Sequence, residues 1–265
     1  KIFLAINTFP EAGNAAPWHS AVDDGAAFGV DAIILADVGL LAYTASKHPD
    51  LRRHLSVQAS ASNPEAIRFY QEEFDVKRVV LPRVLTLPEI SALNREIQVE
   101  SEVFVFGGLC VMAEGRCALS SYVTGQSPNT NGVCSPACAV RYEDEGDRLV
   151  SRLADFTINT FAPGEAAGYP TLCKGRFIAN GKTSYLFEDP VSLNAATMLQ
   201  DLAAAGVSGL KIEGRQRGKA YVAKVVTSFR RSIDSTHDSN VEVDDLISVT
   251  EGQRRTAGAY DKTWR

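Results

Sequence analysis

The sequence predicts an α/β fold of the βα-barrel type that carries a Cys-rich insertion. Three observations lead there. Short apolar runs recur at residues 2–7, 32–36, 55–59, 78–81 and 102–106. They are rich in Val, Ile, Leu and Phe with little polar alternation, which is the pattern of strands covered on both faces in a parallel sheet. Helical stretches with start signals fill the gaps, and a strand recurs every 23–30 residues, room for one strand, one helix and two loops. The cadence then stops near Gly107 and resumes only after residue 190.

In order along the chain, the first element is a strand that begins at once, in Lys1-Ile2-Phe3-Leu4-Ala5-Ile6, without Met and without a signal-peptide pattern. A buried strand rarely opens a natural domain. The expectation is therefore a barrel lacking its first two βα units, in a cytoplasmic protein; a trimmed terminus is the plainer reading. Pro17 opens the first helix, ahead of Val22, Ala26 and Ala27. Asn63 followed by Pro64 and Glu65 is an N-cap with Pro at the first helical position, ahead of Ile67, Phe69 and Tyr70. Thr86 with Glu89 three residues on is a capping box.

Residues 107–190 read as a Gly-, Ser-, Pro- and Cys-containing insertion with short strands at 176–179 and 183–187. A helix follows, with Asn194 as N-cap, Met198, Leu199 and Leu202 facing inward, and Gly206 as its stop. The sixth main strand lies at 209–212 and another helix at about 219–233. Residues 234–245 read as a polar loop and 246–249 as a small strand, while pattern alone does not place the tail 250–265. The organisation expected is a βα-repeat part at 1–106, the insertion at 107–190, a final helix–strand–helix at 191–235 and a tail at 236–265. A doubly wound open sheet is the alternative, and it lacks support from any GxGxxG after a strand.

Composition removes several classes. The 265 residues are 45% hydrophobic and 22% charged, which excludes collagen, coiled coil and wholesale disorder. No apolar run approaches the roughly 18 residues of a membrane-spanning helix. A net charge of −5 supplies no global basic field for nucleic acid, so no direct nucleic-acid partner is expected.

All five cysteines, Cys110, Cys117, Cys134, Cys138 and Cys173, fall inside the insertion. An odd count without a secretory signal disfavours a disulfide framework. Structural zinc sites present two close ligand pairs, and only Cys134 with Cys138 can form one. Wide spacing of four thiolates suits an iron–sulfur cluster. Zinc and inert thiols stay open at this point, and Cys134 competes with Cys138 for the third position. Gly107, Gly108, Gly115 and Gly132 lie beside the cysteines, where backbone N–H groups can approach sulfur, or simply make turns. Arg116, Lys174 and Arg176 flank them as thiolate-stabilising charges.

The run from Glu102 through Phe104, Gly107, Gly108, Leu109 and Cys110, then Gly115, Cys117, Leu119 and Ser120, resembles the signature of peptidase family U-32, the collagenase-like group. Gly108 stands where that family has Ser or Ala, a change conservative in size. The stretches HLSVQAS (54–60), VVLPRV (79–84), SPNT (127–130), GYPTLCKGR (168–176) and KIEGRQR (211–217) are similar to the UbiU-like branch, over nearly the whole chain. The resemblance implies a 4Fe–4S cluster held by Cys110, Cys117, Cys134 and Cys173, with Cys138 as the spare thiol. It implies oxygen-independent hydroxylation in ubiquinone biosynthesis, as a heterodimer with a UbiV-like sister subunit, on a quinone precursor, with prephenate as the associated oxygen donor. RNA nucleobase hydroxylation by a related member and a zinc-stabilised scaffold without chemistry are the alternatives.

Protease chemistry finds no support in the residues. His19, His48, His54 and His237 neighbour no GxSxG elbow, and there is no HExxH. His54 reads as an ordinary strand residue.

In βα barrels, function gathers at the C-terminal ends of the strands. Those ends carry Asn7, Asp37, Gln58, Arg83, the Cys110 loop, and Glu213 with Arg215. Together they suggest a polar mouth holding the cluster. Gln58, Arg83, Glu213 and Arg215 are the catalytic candidates, and Asn7, Asp37, Arg215 and Arg217 the substrate-binding ones. Asp37 can equally be a helix cap. Seven Lys or Arg against one acid, Glu213, lie between residues 211 and 231, so Arg215 and Arg217 are candidates to clamp an anionic donor.

Overall fold

A computed structural model describes residues 1–215, 217–235, 243–250 and 254–261. The chain divides into two compact units, Lys1–Leu109 with Val191–Arg265, and Cys110–Pro190.

The first unit is a mixed α/β layer. Its opening elements alternate: β1 (Phe3–Ile6), α1 (Ala16–Ala27), β2 (Ala32–Leu35), α2 (Val38–Lys47), β3 (Arg53–Leu55), α3 (Pro64–Phe74), β4 (Val76–Val80), α4 (Leu87–Asn94) and β5 (Glu100–Gly108). The start signals act as expected. Pro17 sits in the first turn of α1. The side chain of Asn63 accepts from the Ala66 N–H ahead of Pro64. Thr86 and Glu89 close a reciprocal capping box.

Strands β1 to β5 pair parallel in sequential order, and β12 (Gly209–Ile212) joins β5 in parallel. Five of the six strands expected from the apolar runs are present in this sheet, and the run at 55–59 meets β3 only at Leu55. Sequential order with right-handed crossovers places the connecting helices on one face. A doubly wound sheet reverses its order instead. Two further strands extend β5: β11 (Ser192–Asn194) runs antiparallel along its end, and β13 (Arg255–Thr256) pairs with β11. Among the described residues β1 pairs only with β2 and β12 only with β5, so the sheet is open rather than a closed barrel.

The sheet curls strongly. The Phe3 ring on β1 meets His54 of β3 edge-on at 5.0 Å and lies 5.8 Å from the Arg78 guanidinium of β4. Beyond the strand ends, Arg215 donates to the Asn7 side-chain oxygen at 3.2 Å, joining the segment after β12 to the one after β1. The core lies between this sheet and its helices. Ile33, Leu35, Leu55, Val79, Val105 and Phe106 from the strands, and Ile67, Ile90, Leu202 and Val225 from the helices, are buried.

Several sequence expectations shift. The apolar run at 55–59 is not one strand. β3 ends at Leu55, the Ser56 hydroxyl accepts from the Gln58 N–H, and a 3₁₀ turn spans Val57–Ala59. Asn194 does not cap a helix. It ends β11, and its side-chain oxygen accepts from the Ala196 N–H in a tight local turn. A 3₁₀ turn at Ala196–Met198 then leads into α7 (Leu199–Ala204), which Gly206 stops at φ +84°. After β12 comes α8 (Lys219–Asp234). Residues 246–249 are not a strand but lie in a 3₁₀ helix, Val243–Val249, whose Leu246 is buried. Of the polar loop expected at 234–245, residue 234 ends α8, residues 243–245 fall in the 3₁₀ helix, and 236–242, like Trp264, lie outside the described residues. The tail is anchored by Tyr260, buried, whose hydroxyl donates to the Phe104 carbonyl.

The second unit is more ordered than an irregular insertion. Helices α5 (Leu119–Thr124) and α6 (Pro128–Asn131) precede a three-stranded antiparallel meander, β6 (Val140–Glu145), β7 (Arg148–Leu153) and β8 (Phe156–Phe161). The hairpin β9 (Arg176–Ala179) and β10 (Lys182–Tyr185) follows, close to the two short strands expected there. Val123, Leu153, Ile158 and Leu172 form its small core.

Candidate metal centre and strand-end residues

The four thiols in question belong to four separate loop segments of the second unit. Cys110 follows β5, Cys117 precedes α5, Cys134 follows α6, and Cys173 sits in a 3₁₀ turn, Leu172–Lys174, ahead of β9. Chain reversal by glycine delivers one of them. Gly132 adopts φ +79° as it closes α6, a conformation that a side chain would strain, and Cys134 comes two residues later.

All five cysteines are free thiols. Burial pushes the Cys134 thiol up to about 11, and the negative charge of Cys110, Cys117 and Cys173 adds to it, while Lys174 opposes. Cys134 as a residue keeps solvent exposure, but its sulfur lies in a surround dense enough for burial to be the leading cause. Burial also raises the Cys173 thiol, with further repulsion from Cys110 and Glu188 offset by the Thr171 hydroxyl and Lys174. Cys134 thus senses the charge of Cys110, Cys117 and Cys173, and Cys173 that of Cys110. Among the described residues no group of three or more His, Cys, Asp or Glu side chains is arranged to hold one metal ion.

Backbone and side-chain ties connect these segments. The Asn129 amide brackets Cys117, its oxygen accepting from the Cys117 N–H at 3.2 Å and its nitrogen donating to the Cys117 carbonyl at 3.1 Å. The Tyr169 hydroxyl donates to the carbonyl of Ser135, next to Cys134, at 2.9 Å. The Glu188 N–H donates to the Cys173 carbonyl at 3.2 Å. None of Asn129, Tyr169 or Glu188 stood out in the sequence. Asn129 lies within the SPNT stretch, which was a resemblance without a role.

The strand-end candidates lie in the first unit. Asn7 accepts from Arg215 and donates to the Ser56 hydroxyl at 3.4 Å. The Arg215 N–H in turn donates to the Glu213 carboxylate at 3.1 Å, and the Tyr221 hydroxyl donates to the Glu213 carbonyl. The structure thus joins Asn7, Glu213 and Arg215 in one polar network with Ser56, a residue the sequence reading passed over. Arg83 donates to the Gly108 carbonyl at 2.8 Å and lies 4.6 Å from the Phe104 ring centre. Arg217 lies over the Tyr221 ring at 5.1 Å. Asp37 caps α2, its carboxylate accepting from the Leu40 N–H. Gln58 is half-buried at the 3₁₀ turn after β3.

No histidine in the described residues has a nucleophile. His19 stacks on the Tyr43 ring at 4.0 Å, and His48 pairs with Asp23 at 2.7 Å. His54 is buried and accepts from the Arg52 Nε at 3.0 Å. His237 lies outside the described residues.

A family model described as peptidase family U32 matches residues 1–258. The chain belongs to peptidase family U32. The curated relatives it matches are named for different activities. The chain is 30% identical over 271 residues to "tRNA hydroxylation protein P" of Escherichia coli, covering 95% of this chain and 59% of the relative. It is 28% identical over 253 residues to the "23S rRNA 5-hydroxycytidine C2501 synthase" of the same organism, covering 96% of this chain and 33% of that protein. It is 27% identical over 246 residues to a "Collagenase" of Porphyromonas gingivalis, covering 89% and 52%. The chain spans about half the length of the curated relatives it matches. No helix among the described residues is long and apolar enough to cross a membrane.

Proposed function

We propose that this U32 chain is the iron–sulfur subunit of an oxygen-independent hydroxylase in ubiquinone biosynthesis, acting in the cytoplasm with a UbiV-like partner. One observation carries the reading: Cys110, Cys117 and Cys173, each from a separate segment, lie close enough to Cys134 for their charge to raise its thiol. Their chemistry fits a 4Fe–4S cluster held by Cys110, Cys117, Cys134 and Cys173. An all-thiolate donor set is what such clusters take, and Lys174 offsets part of its charge. A cluster binds each thiolate to a different iron, so its ligands stand further apart than those of a single tetrahedral zinc.

When bound, the cluster would supply electron transfer, a Lewis-acid iron for an oxygen donor, or structural support. This chain's own residues supply recognition. Arg215, oriented by Asn7 and through its backbone by Glu213, presents a planar cation that suits a carboxylate donor such as prephenate. Arg217, held over Tyr221, is a second cation of the same segment. The sequential parallel order and the curl of the sheet support reading the first unit as part of a βα barrel, whose strand ends are where such residues gather.

The test is an anaerobic assay of the chain with its partner, a quinone precursor and prephenate. Hydroxylated quinone is expected from the native chain, and loss of donor binding from Arg215→Ala. Unchanged binding and turnover in Arg215→Ala would remove that residue from the site. The second reading, RNA nucleobase hydroxylation, is favoured by the printed names of the relatives. Net charge −5 weighs against it. Tight, salt-sensitive RNA retention on a filter, with no product from the quinone precursor, would replace the first reading by the second.

A further inference from the structure

The side-chain ties between the thiol segments have no part in the reading above. They form a series. Asn129 sits in the segment that leads to Cys134, yet both polar atoms of its amide are engaged by the backbone of Cys117. Tyr169 sits in the segment that leads to Cys173, yet its hydroxyl is engaged by Ser135, beside Cys134. Each tie therefore runs from the approach to one thiol back to the previous thiol or its neighbour. They span 12 and 34 residues of sequence.

The origin of each tie strengthens the pattern. Asn129 is fixed by a short turn, its own N–H donating to the Ser127 hydroxyl, and the Asn131 N–H donating to the Ser127 carbonyl at 2.8 Å. Its amide is thus aimed by the single turn of α6, which the Ser127 hydroxyl caps. Tyr169 is held at its base, where the Tyr142 hydroxyl of β6 donates to the Gly168 carbonyl at 3.0 Å. The meander thereby anchors the approach to Cys173. Neither side chain offers sulfur, and neither is buried in the unit's small apolar core.

We infer that Asn129 and Tyr169 are positioning residues that set the separation of Cys117, Cys134 and Cys173 before any metal arrives. The inference rests on the reading of these thiols as cluster ligands, and it says how that site is built. Partners one layer out from metal ligands matter in this way: their loss costs about 10–100-fold in metal affinity.

Asn129→Ala removes both contacts to Cys117, Asn129→Asp keeps the acceptor and loses the donor, and Tyr169→Phe deletes one hydroxyl. The full chain and each variant are reconstituted anaerobically with iron and sulfide. Iron release to a chelator and the electron paramagnetic resonance spectrum of the reduced protein are then recorded, with far-UV circular dichroism as the check on folding. About tenfold faster release is expected for Asn129→Ala, with an altered spectrum and native dichroism, and a smaller increase for the other two. Native release rates and spectra in both Asn129→Ala and Tyr169→Phe would overturn the inference. Should Asn129→Ala fail to fold, Tyr169→Phe and Asn129→Asp decide on the same readouts.

A second readout separates this inference from the cluster itself. In metal-free protein, the rate of Cys117–Cys134 disulfide formation with diamide reports thiol spacing directly. The rate in Asn129→Ala is expected to differ from that of the native chain by about tenfold, since the reaction depends steeply on thiol placement. A native chain that takes up no iron but shows this difference would sink the cluster and leave the positioning role standing. Equal rates would sink the positioning role.

Discussion

His54 makes one hydrogen bond where it has room for two. Its Nε2 takes the Arg52 Nε–H, so the neutral ring carries its proton on Nδ1, which is buried without a partner. Burial first, then the charges of Arg78 and Arg52, lower its pKa from 6.5 to about 4. The folded value lies below the unfolded one, so the folded state refuses a proton that the unfolded state accepts. This contribution to stability is intact above pH 6.5 and is lost as pH falls toward about 4, up to about 3 kcal/mol. Urea midpoints measured from pH 7 to pH 4 are expected to fall less steeply in His54→Gln than in the native chain. Parallel slopes would mean that the ring is protonated in the fold. A neighbouring residue shows the opposite economy. Arg53, with its side chain only 4% exposed, donates to the carbonyls of Phe74, His48, Pro49 and Leu51 and pairs with Asp75. Arg53→Ala removes the side-chain donor to these carbonyls, of which His48 alone is seen to keep another, the Leu51 N–H, and is expected to cost about 3 kcal/mol or more in urea unfolding. Arg53→Lys is expected to recover little, because one ammonium cannot span the fork.

At the scale of elements, the junction of β5 and β12 is the tightest point of the first unit. Gly107 adopts φ +132°, and a Cβ built there would lie 2.2 Å from the Glu213 Cβ. The close approach lets the Glu213 N–H reach the Phe106 carbonyl at 2.8 Å. Gly107→Ala is expected to lower the unfolding free energy by more than about 2 kcal/mol and to loosen the Glu213–Arg215 turn, read by thermal melting and by hydrogen exchange at Arg215. Native melting would show that the backbone can yield at no cost. Elements of this kind differ in how far the sequence reveals them. The parallel strands were legible because Val, Ile, Leu and Phe dominate their runs and because caps such as Asn63 and Thr86 punctuate them, although one face carries the charged set Arg78, Glu100, Glu102 and Lys211. β3 ended early because Ser56 turns the chain, a local hydrogen bond that an apolar run conceals. The meander β6–β8 escaped notice because one face is exposed and charged, with Arg152 paired to Glu143 and Glu145 across its strands. The thiols were legible as a cluster in one insertion. Asn129 and Tyr169 were not, since a tie across 12 or 34 residues leaves no periodic trace.

The molecule consists of an α/β unit built on a mostly parallel sheet and a smaller unit that carries all five cysteines. Membership in peptidase family U32 is shown by a match over residues 1–258, yet the family spans proteins named for RNA hydroxylation and for collagen cleavage. The residues decide between these classes better than the family name does. Among the described residues the histidines engage Tyr43, Asp23 and Arg52, whereas the Cys134 thiol is raised by burial and by the charge of Cys110, Cys117 and Cys173. The most direct test is therefore iron and sulfide analysis of anaerobically purified protein, native and with single Cys→Ser substitutions. About four iron and four sulfide per chain are expected, lost on substituting Cys110, Cys117, Cys134 or Cys173 and retained in Cys138→Ser. One zinc and no sulfide, or full iron after loss of any of those four thiols, would contradict the account.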